Sequence, residues 1–210
     1  MWDKFLSQYR ITSRLNHVAD GAGAAVPPTL SELFARFSGT TFSDGLYRIH
    51  TPESAAASND FCARLIRGFA GRMYCFGFDW LGRNLAVDLR GGDGEALVVL
   101  VEPGAGELLE SEVELTPFHD EVLVADPTGL AAGFFDEWRS ANPGFDRLAF
   151  DQCVGYKVPL FLGGDDEVHN LEVVPYDVYW ELCVQLRTGT RHMPAGTTIQ
   201  RIIVADDVEH

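Results

Sequence analysis

Apolar and polar residues alternate along the chain in patterns that predict short helices and short strands, with no long element of either kind. Apolar side chains recur partly at helical spacing in residues 2–17 and at helical spacing from Thr29, on either side of a glycine- and alanine-rich loop over Asp20–Val26. Thr51 followed by a proline is typical of a helix start and predicts a third helix there. A strand is predicted between the last two helices, around Leu46–Ile49.

The middle of the chain has the pattern of an antiparallel meander. Three strand-like segments are separated by glycine turns, namely Met73–Phe78, Asn84–Leu89 and Ala96–Val101. In the segment Leu108–Leu115 glutamates alternate with apolar residues, which predicts a strand with one solvent-facing side and one buried side.

The second half of the chain is predicted to hold helices and a hairpin. One helix is predicted within Gly129–Ser140. The apolar segment Val158–Leu162 ends at a Gly-Gly pair and is predicted to pair as a strand with Leu171–Val174. An aromatic helix over Tyr176–Arg187 follows, with a last strand over Thr198–Ala205. A meander with helices at both ends favours the α+β class, as a twisted, mostly antiparallel sheet flanked by helices.

Composition adds that the chain is an ordinary globular protein with an unusual charge. Its 210 residues suit one sizeable domain or two small ones, and 46% hydrophobic with 22% charged residues is close to the globular average. No signal peptide or membrane segment is visible, and the four cysteines lie far apart. We therefore expect a cytoplasmic protein with reduced, buried thiols.

The formal net charge of −15 lies almost wholly in the second half. Residues 1–105 carry ten Lys/Arg and eleven Asp/Glu (10 − 11 = −1), whereas residues 106–210 carry six and twenty (6 − 20 = −14). Such a surface repels nucleic acid and attracts a basic protein. The alternative is that the charge serves solubility alone.

One acidic cluster could hold a divalent ion. Asp165, Asp166, Glu167 and His169 offer carboxylate and imidazole groups after the Gly-Gly turn. Their spacing does not match a calcium-binding loop, and the chain contains no His-Glu-x-x-His motif. The cluster is more typical of a solvated loop, or of a contact with another protein.

Two further arrangements could carry catalysis. His119 beside Asp120 suggests a base with an orienting acid, and Cys153 with His169 suggests a nucleophile with its base. The segment around His119 and Asp120 is also explained as a helix start, because it follows the Thr-Pro pair at 116–117. No nucleophile motif surrounds Cys153. No glycine-rich segment matches a phosphate-binding loop. We predict no catalytic residue, no metal and no cofactor.

Three segments resemble bacterial type VI secretion immunity proteins, within the broader SUKH-like set of toxin-neutralising proteins. They are FGFDWLGRNLAVD (Phe76–Asp88), LVEPGAGELLESEVELTPFHDEVL (Leu100–Leu123) and, most specifically, the stretch Cys153–Arg191 with VGYKVPLFLGG, NLEVV and VYWELCVQL. Together with the segment that begins at Pro27-Pro28, the resemblance spans residues 27–195.

This resemblance implies a SUKH-like fold with a GAD-like N-terminal region over 1–125 and an immunity-protein domain over 126–210, packed as one compact unit. It implies a non-enzymatic protein that binds and occludes a cognate toxin, with a nuclease as the toxin class that suits the charge. The alternatives are a regulatory interaction scaffold of the SUKH type and a metal-dependent hydrolase that uses the cluster Asp165–His169. No direct nucleic-acid or membrane partner is expected, and both a monomer and a homodimer remain open.

Charge and aromatic placement select the candidate toxin-binding residues. Large aromatic side chains are favoured at the centres of interfaces, and acidic ones suit a basic partner. Trp80 lies at a hairpin bend and Tyr176 follows a proline at a helix start, so both are expected to be exposed, whereas Trp180 is expected to be buried. The predicted set is Asp165, Asp166, Glu167, Glu172, Tyr176 and Trp80.

Overall fold

The computed structural model describes residues 2–16, 25–91 and 96–193. Most of the predicted loop Asp20–Val26 and the whole predicted strand Thr198–Ala205 lie outside these ranges. The described helices are α1 (Asp3–Gln8), α2 (Ser31–Phe37), α3 (Pro52–Leu65), α4 (Leu115–Pro117), α5 (Leu123–Ala125), α6 (Ala132–Ala141) and α7 (Tyr176–Thr190), with a π-helical turn, Phe118–Val122, between α4 and α5. The described strands are β1 (Ile11–Arg14), β2 (Thr40–Phe42), β3 (Tyr47–Ile49), β4 (Met73–Asp79), β5 (Asn84–Asp88), β6 (Leu97–Glu102), β7 (Glu107–Glu114), β8 (Gln152–Tyr156) and β9 (Leu171–Pro175).

The main sheet contains strands β1 to β7 in chain order, and every neighbouring pair is antiparallel. The predicted meander and the α+β class are therefore confirmed. The predicted helix after Thr51 is also present, because the Thr51 hydroxyl accepts from the Ser54 backbone while the Ser54 hydroxyl accepts from that of Thr51.

Helices cover both faces of this sheet. Tyr47 and Arg48 are adjacent on β3, so their side chains point to opposite faces. Tyr47 packs against Phe5 of α1, whereas Arg48 lies over Phe78, whose ring contacts Tyr176 of α7. One hydrophobic core includes side chains from both sides of residue 125, and the domain boundary at that position stays a prediction.

The predicted strand Val158–Leu162 is wrong. β9 pairs instead with β8, which begins six residues before the predicted segment (158 − 152 = 6), with Val154 opposite Val173. The cause is Pro159, which has no N–H to donate to a ladder and begins a 3-10 turn over Leu160–Leu162.

The predicted alternation on β7 is also incomplete. Leu109 is 52% exposed, although its place in the pattern predicted burial. The β6–β7 register shifts between Leu97 and Val99, and Glu112 adopts a left-handed conformation (φ 55°). β7 is the last strand of the sheet. Four steps on β7, from Glu110 to Glu114, lie opposite two steps on β6, and these two extra residues (4 − 2 = 2) disturb the simple two-residue period.

All four cysteines are buried, as predicted. In the described ranges, no helix is both long enough and apolar enough to cross a membrane.

Candidate interaction surface

Trp80 lies inside the protein, so its predicted exposure is wrong. Its side chain is 0% exposed, and its indole Nε1 donates to the Leu130 carbonyl at 3.1 Å. The rings of Phe134 and Phe135 pack against it from α6, with centroids at 5.5 and 5.0 Å. The hairpin bend would be open if β4 and β5 were alone, but helix α6 covers it.

Tyr176 is buried as well, which corrects the second aromatic prediction. Its hydroxyl donates to Asn84 Oδ1 at 2.9 Å and lies 2.9 Å from the Ser58 hydroxyl. The first turn of α7 therefore faces the main sheet and α3. Trp180 is fully buried as predicted, and its Nε1 donates to the Gly82 carbonyl at 2.8 Å.

Arg48 joins the sheet to the segment before β8. This fully buried guanidinium donates to the carbonyls of Ala149, Gln152, Gly45 and Asp79. Burial lowers its pKa to about 10, and the four carbonyls accept from its two terminal nitrogens, whereas the buried Nε has no partner among the described residues. We call Arg48, Trp80, Asn84, Tyr176 and Trp180 the junction, because they connect the main sheet with the C-terminal segment.

A buried ionic group lies next to the junction. Arg83 Nε donates to Asp79 Oδ2 at 2.6 Å and lies 3.7 Å from Glu102 Oε2. Burial raises the pKa of Asp79 and raises that of Glu102 to about 8. Asp79 also accepts from the backbone N–H groups of Leu81 and Arg83, and Glu102 accepts from that of Gly104. Asp79 thus holds the β4–β5 turn, and Glu102 holds the β6–β7 turn.

The predicted acidic residues are exposed, and they lie on an ordered loop. We call residues 163–169 the acidic loop; Asp165, Asp166 and Glu167 are all exposed within it. The buried Asn170 fixes its base, since its amide nitrogen donates to the carbonyls of Val158 and Asp165 at 2.9 Å each. The Val158 backbone N–H donates in return to Asn170 Oδ1 at 3.0 Å.

Further bonds hold the rest of this loop. The Tyr156 hydroxyl donates to Asp166 Oδ1 at 2.7 Å, and Lys157 Nζ donates to the His169 carbonyl at 2.8 Å. His169 Nε2 lies 3.6 Å from Asp165 Oδ2. In the ranges that the structure describes, no three His, Cys, Asp or Glu side chains lie close enough together to hold a metal ion. The loop thus presents negative charge on a hydrogen-bonded backbone.

Exposed apolar and acidic side chains continue along the adjoining hairpin and helix. Glu172 is exposed on β9. Val158, Val173 and Val178 are 46%, 41% and 57% exposed. Charged groups with scattered apolar ones around an ordered loop are suited to contact with another protein.

The structure separates the two groups that could have formed a nucleophile and base. Cys153 is fully buried, and burial raises the pKa of its thiol, so the reactive thiolate is disfavoured. His169 is exposed on the acidic loop. The geometry gives Cys153 a packing role beside Gly82.

His119 is part of the core. It is fully buried between the Tyr47 hydroxyl, 2.9 Å from Nε2, and the Leu115 carbonyl, 2.8 Å from Nδ1. Its neighbour Asp120 accepts from the backbone N–H groups of Trp2 and Phe5, at 2.9 and 3.1 Å. This cap of α1 was not predicted, because the two partners lie more than a hundred residues apart in the chain.

The fold and this surface define an α+β protein whose exposed chemistry suits contact with a partner. The model of the C-terminal domain of the T6SS immunity protein Tdi1 matches residues 136–187. This match supports a type VI secretion immunity protein family for the chain. The GAD-like and SUKH-like resemblances stay predictions.

Structural similarity adds the fold alone. The crystal structure of Atu4351 from Agrobacterium tumefaciens is similar with a TM-score of 0.54 and 13% sequence identity, over 88% of this chain and 89% of that chain. No curated protein sequence matches this chain.

Proposed function

We propose that this immunity protein neutralises a cognate secreted toxin by binding it directly, without turnover, in the cytoplasm. The observation that carries the proposal is that the segment matched by the family model, 136–187, contains the whole acidic loop and Glu172. These residues combine exposure with a fixed backbone, so little conformational entropy is lost when a partner binds.

The charge of the protein supports a basic toxin surface as the partner. Asp165, Glu167 and Glu172 are exposed carboxylates, and residues 106–210 carry six basic and twenty acidic residues. Opposite charge raises association rates and selects against acidic partners. A nuclease suits this description, because a groove that binds nucleic acid carries positive charge that an acidic binder can occupy.

Co-expression tests the proposal. The protein is produced together with the toxin encoded by the neighbouring gene, and growth and co-purification are measured in parallel. We expect a stable complex and restored growth. A poisoned culture in which the soluble protein does not bind the toxin would contradict the proposal and favour the regulatory scaffold.

Matched variants identify the surface. The triple variant Asp165→Asn, Glu167→Gln, Glu172→Gln removes three exposed charges from the proposed contact. The control triple variant Glu32→Gln, Glu53→Gln, Asp146→Asn removes three exposed charges elsewhere. Only the first should weaken protection.

A further inference from the structure

We propose that the outer edge of β7 is a second part of the toxin contact and that it takes up a basic β-strand of the toxin. This inference rests on the proposed function and adds to it the kind of element that the partner contributes. In this arrangement the toxin is recognised through hydrogen bonds of its backbone as well as through its positive charge.

β7 is an open edge of the main sheet. It pairs with β6 on one side, and among the described strands none lies on the other. Every residue of β7 is exposed or half-buried, so no described element covers it. An uncovered edge strand presents unpaired N–H and C=O groups, to which an extended segment of another protein can add.

The first half of β7 is the part with regular geometry. Residues 107–110 keep one register with β6, from Glu102 opposite Glu107 to Val99 opposite Glu110. Beyond them Ser111 Oγ donates to the Val98 carbonyl at 2.6 Å, and Glu112 adopts its left-handed conformation. The bulge ends the regular edge, so the partner strand is expected to pair with residues 107–110 and to cover the exposed Leu109.

The charge on β7 selects a basic partner and disfavours a second copy. The strand carries Glu107, Glu110, Glu112 and Glu114. Arg72 lies 3.4 Å from Glu110, but none of the ion pairs among the described residues includes the other three glutamates. A second β7 would place glutamates opposite glutamates, whereas a strand with Lys or Arg at alternate positions would complement them.

The β7 edge adjoins the acidic loop through the β6–β7 turn. The Phe161 backbone N–H donates to the Gly104 carbonyl at 3.1 Å, and the ring of Tyr156, which holds Asp166, packs against Gly104. One cation lies at this boundary, because the Arg187 side chain contacts Gly106 and lies over the Phe161 ring. The two acidic regions can therefore contact one partner together.

Hydrogen exchange of the full chain, alone and in complex with the toxin, tests the edge directly. We expect the β7 amides that point away from β6 to exchange fast in the free protein and to slow by about tenfold or more in the complex. Unchanged exchange in a complex that does form would overturn the β7 proposal and leave the proposed function intact. The absence of any complex would instead reject the proposed function itself.

Slow exchange of the β7 amides in the free protein would also overturn the proposal. The dependence of this protection on protein concentration would then identify what covers the edge. Protection that grows with protein concentration would indicate a second copy on the edge, and protection independent of concentration would indicate cover by the same chain. In addition, the variant Glu107→Lys, Glu110→Lys should bind the toxin about tenfold more weakly. The control Glu32→Lys, Glu53→Lys should bind like the natural chain.

Discussion

The α7 residues of the junction and the acidic loop lie close together in the chain, yet their side chains have opposite surroundings. Tyr176 and Trp180 in α7 are buried against the main sheet, whereas Asp165, Glu167 and Glu172 remain in solvent. The large aromatic side chains of this segment thus join it to the sheet, and its charges remain for a partner. Changes in the two regions should therefore separate stability from binding.

The largest expected effect is on stability, from Trp80. Trp80→Ala removes a fully buried indole and the bond to the Leu130 carbonyl, so we expect the free energy of unfolding to fall by about 3–5 kcal/mol. Urea denaturation measures this loss, and Trp80→Phe is the milder control. Toxin affinity per folded molecule should stay unchanged; a specific loss of affinity in a well-folded Trp80→Phe protein would restore Trp80 as a contact residue.

A smaller effect on stability follows from pH. Burial lowers the pKa of His50 and that of His119 to about 4, from the ordinary value of 6.5. As the pH falls from 6.5 to 4, the unfolded chain takes up protons before the folded protein does, so stability is lost in this window. At pH 5 the loss is up to about 2 kcal/mol for each histidine.

Paired variants isolate this contribution from that of the carboxylates. His119→Gln should lose less stability between pH 7 and pH 5 than the natural chain, as measured by urea denaturation at both values. The exposed His192→Gln is the matched control and should behave like the natural chain. Identical pH dependence in all three proteins would show that His119 does not titrate as its burial requires.

The sequence alone predicts strands β3 to β7 of the main sheet because their signals are local. It gives no signal for β2, and β1 lies in a segment whose apolar residues are partly at helical spacing. The apolar periods of β4 to β6 and the Thr51 helix start depend on neighbouring residues only, and both are confirmed. The exposure of the acidic loop also follows from its composition. Its role in binding stays a prediction.

The wrong predictions depend on contacts between distant residues. Trp80 is covered by α6, and Asp120 caps a helix more than a hundred residues earlier in the chain. Neither contact leaves a signal in local spacing. The misplaced strand is different, because Pro159 stood in the sequence and argues against a ladder at that position.

Removing the exposed charges on and beside the acidic loop should have the smallest effect on stability and a large effect on the rate of association with the toxin. The triple variant Asp165→Asn, Glu167→Gln, Glu172→Gln should change the free energy of unfolding by no more than about 0.5 kcal/mol, because these side chains are exposed. Its association with the toxin should nevertheless be slower, since steering by charge is weakened.

Steering by the acidic surface is tested by the rate of association with an inactivated toxin, measured from about 20 mM to about 500 mM salt. We predict a rate that falls steeply with salt for the natural chain and for the control triple variant Glu32→Gln, Glu53→Gln, Asp146→Asn. The acidic-loop variant should start lower and fall less. A rate that is flat for the natural chain, or equal for the two variants at low salt, would contradict an acidic surface that steers the toxin.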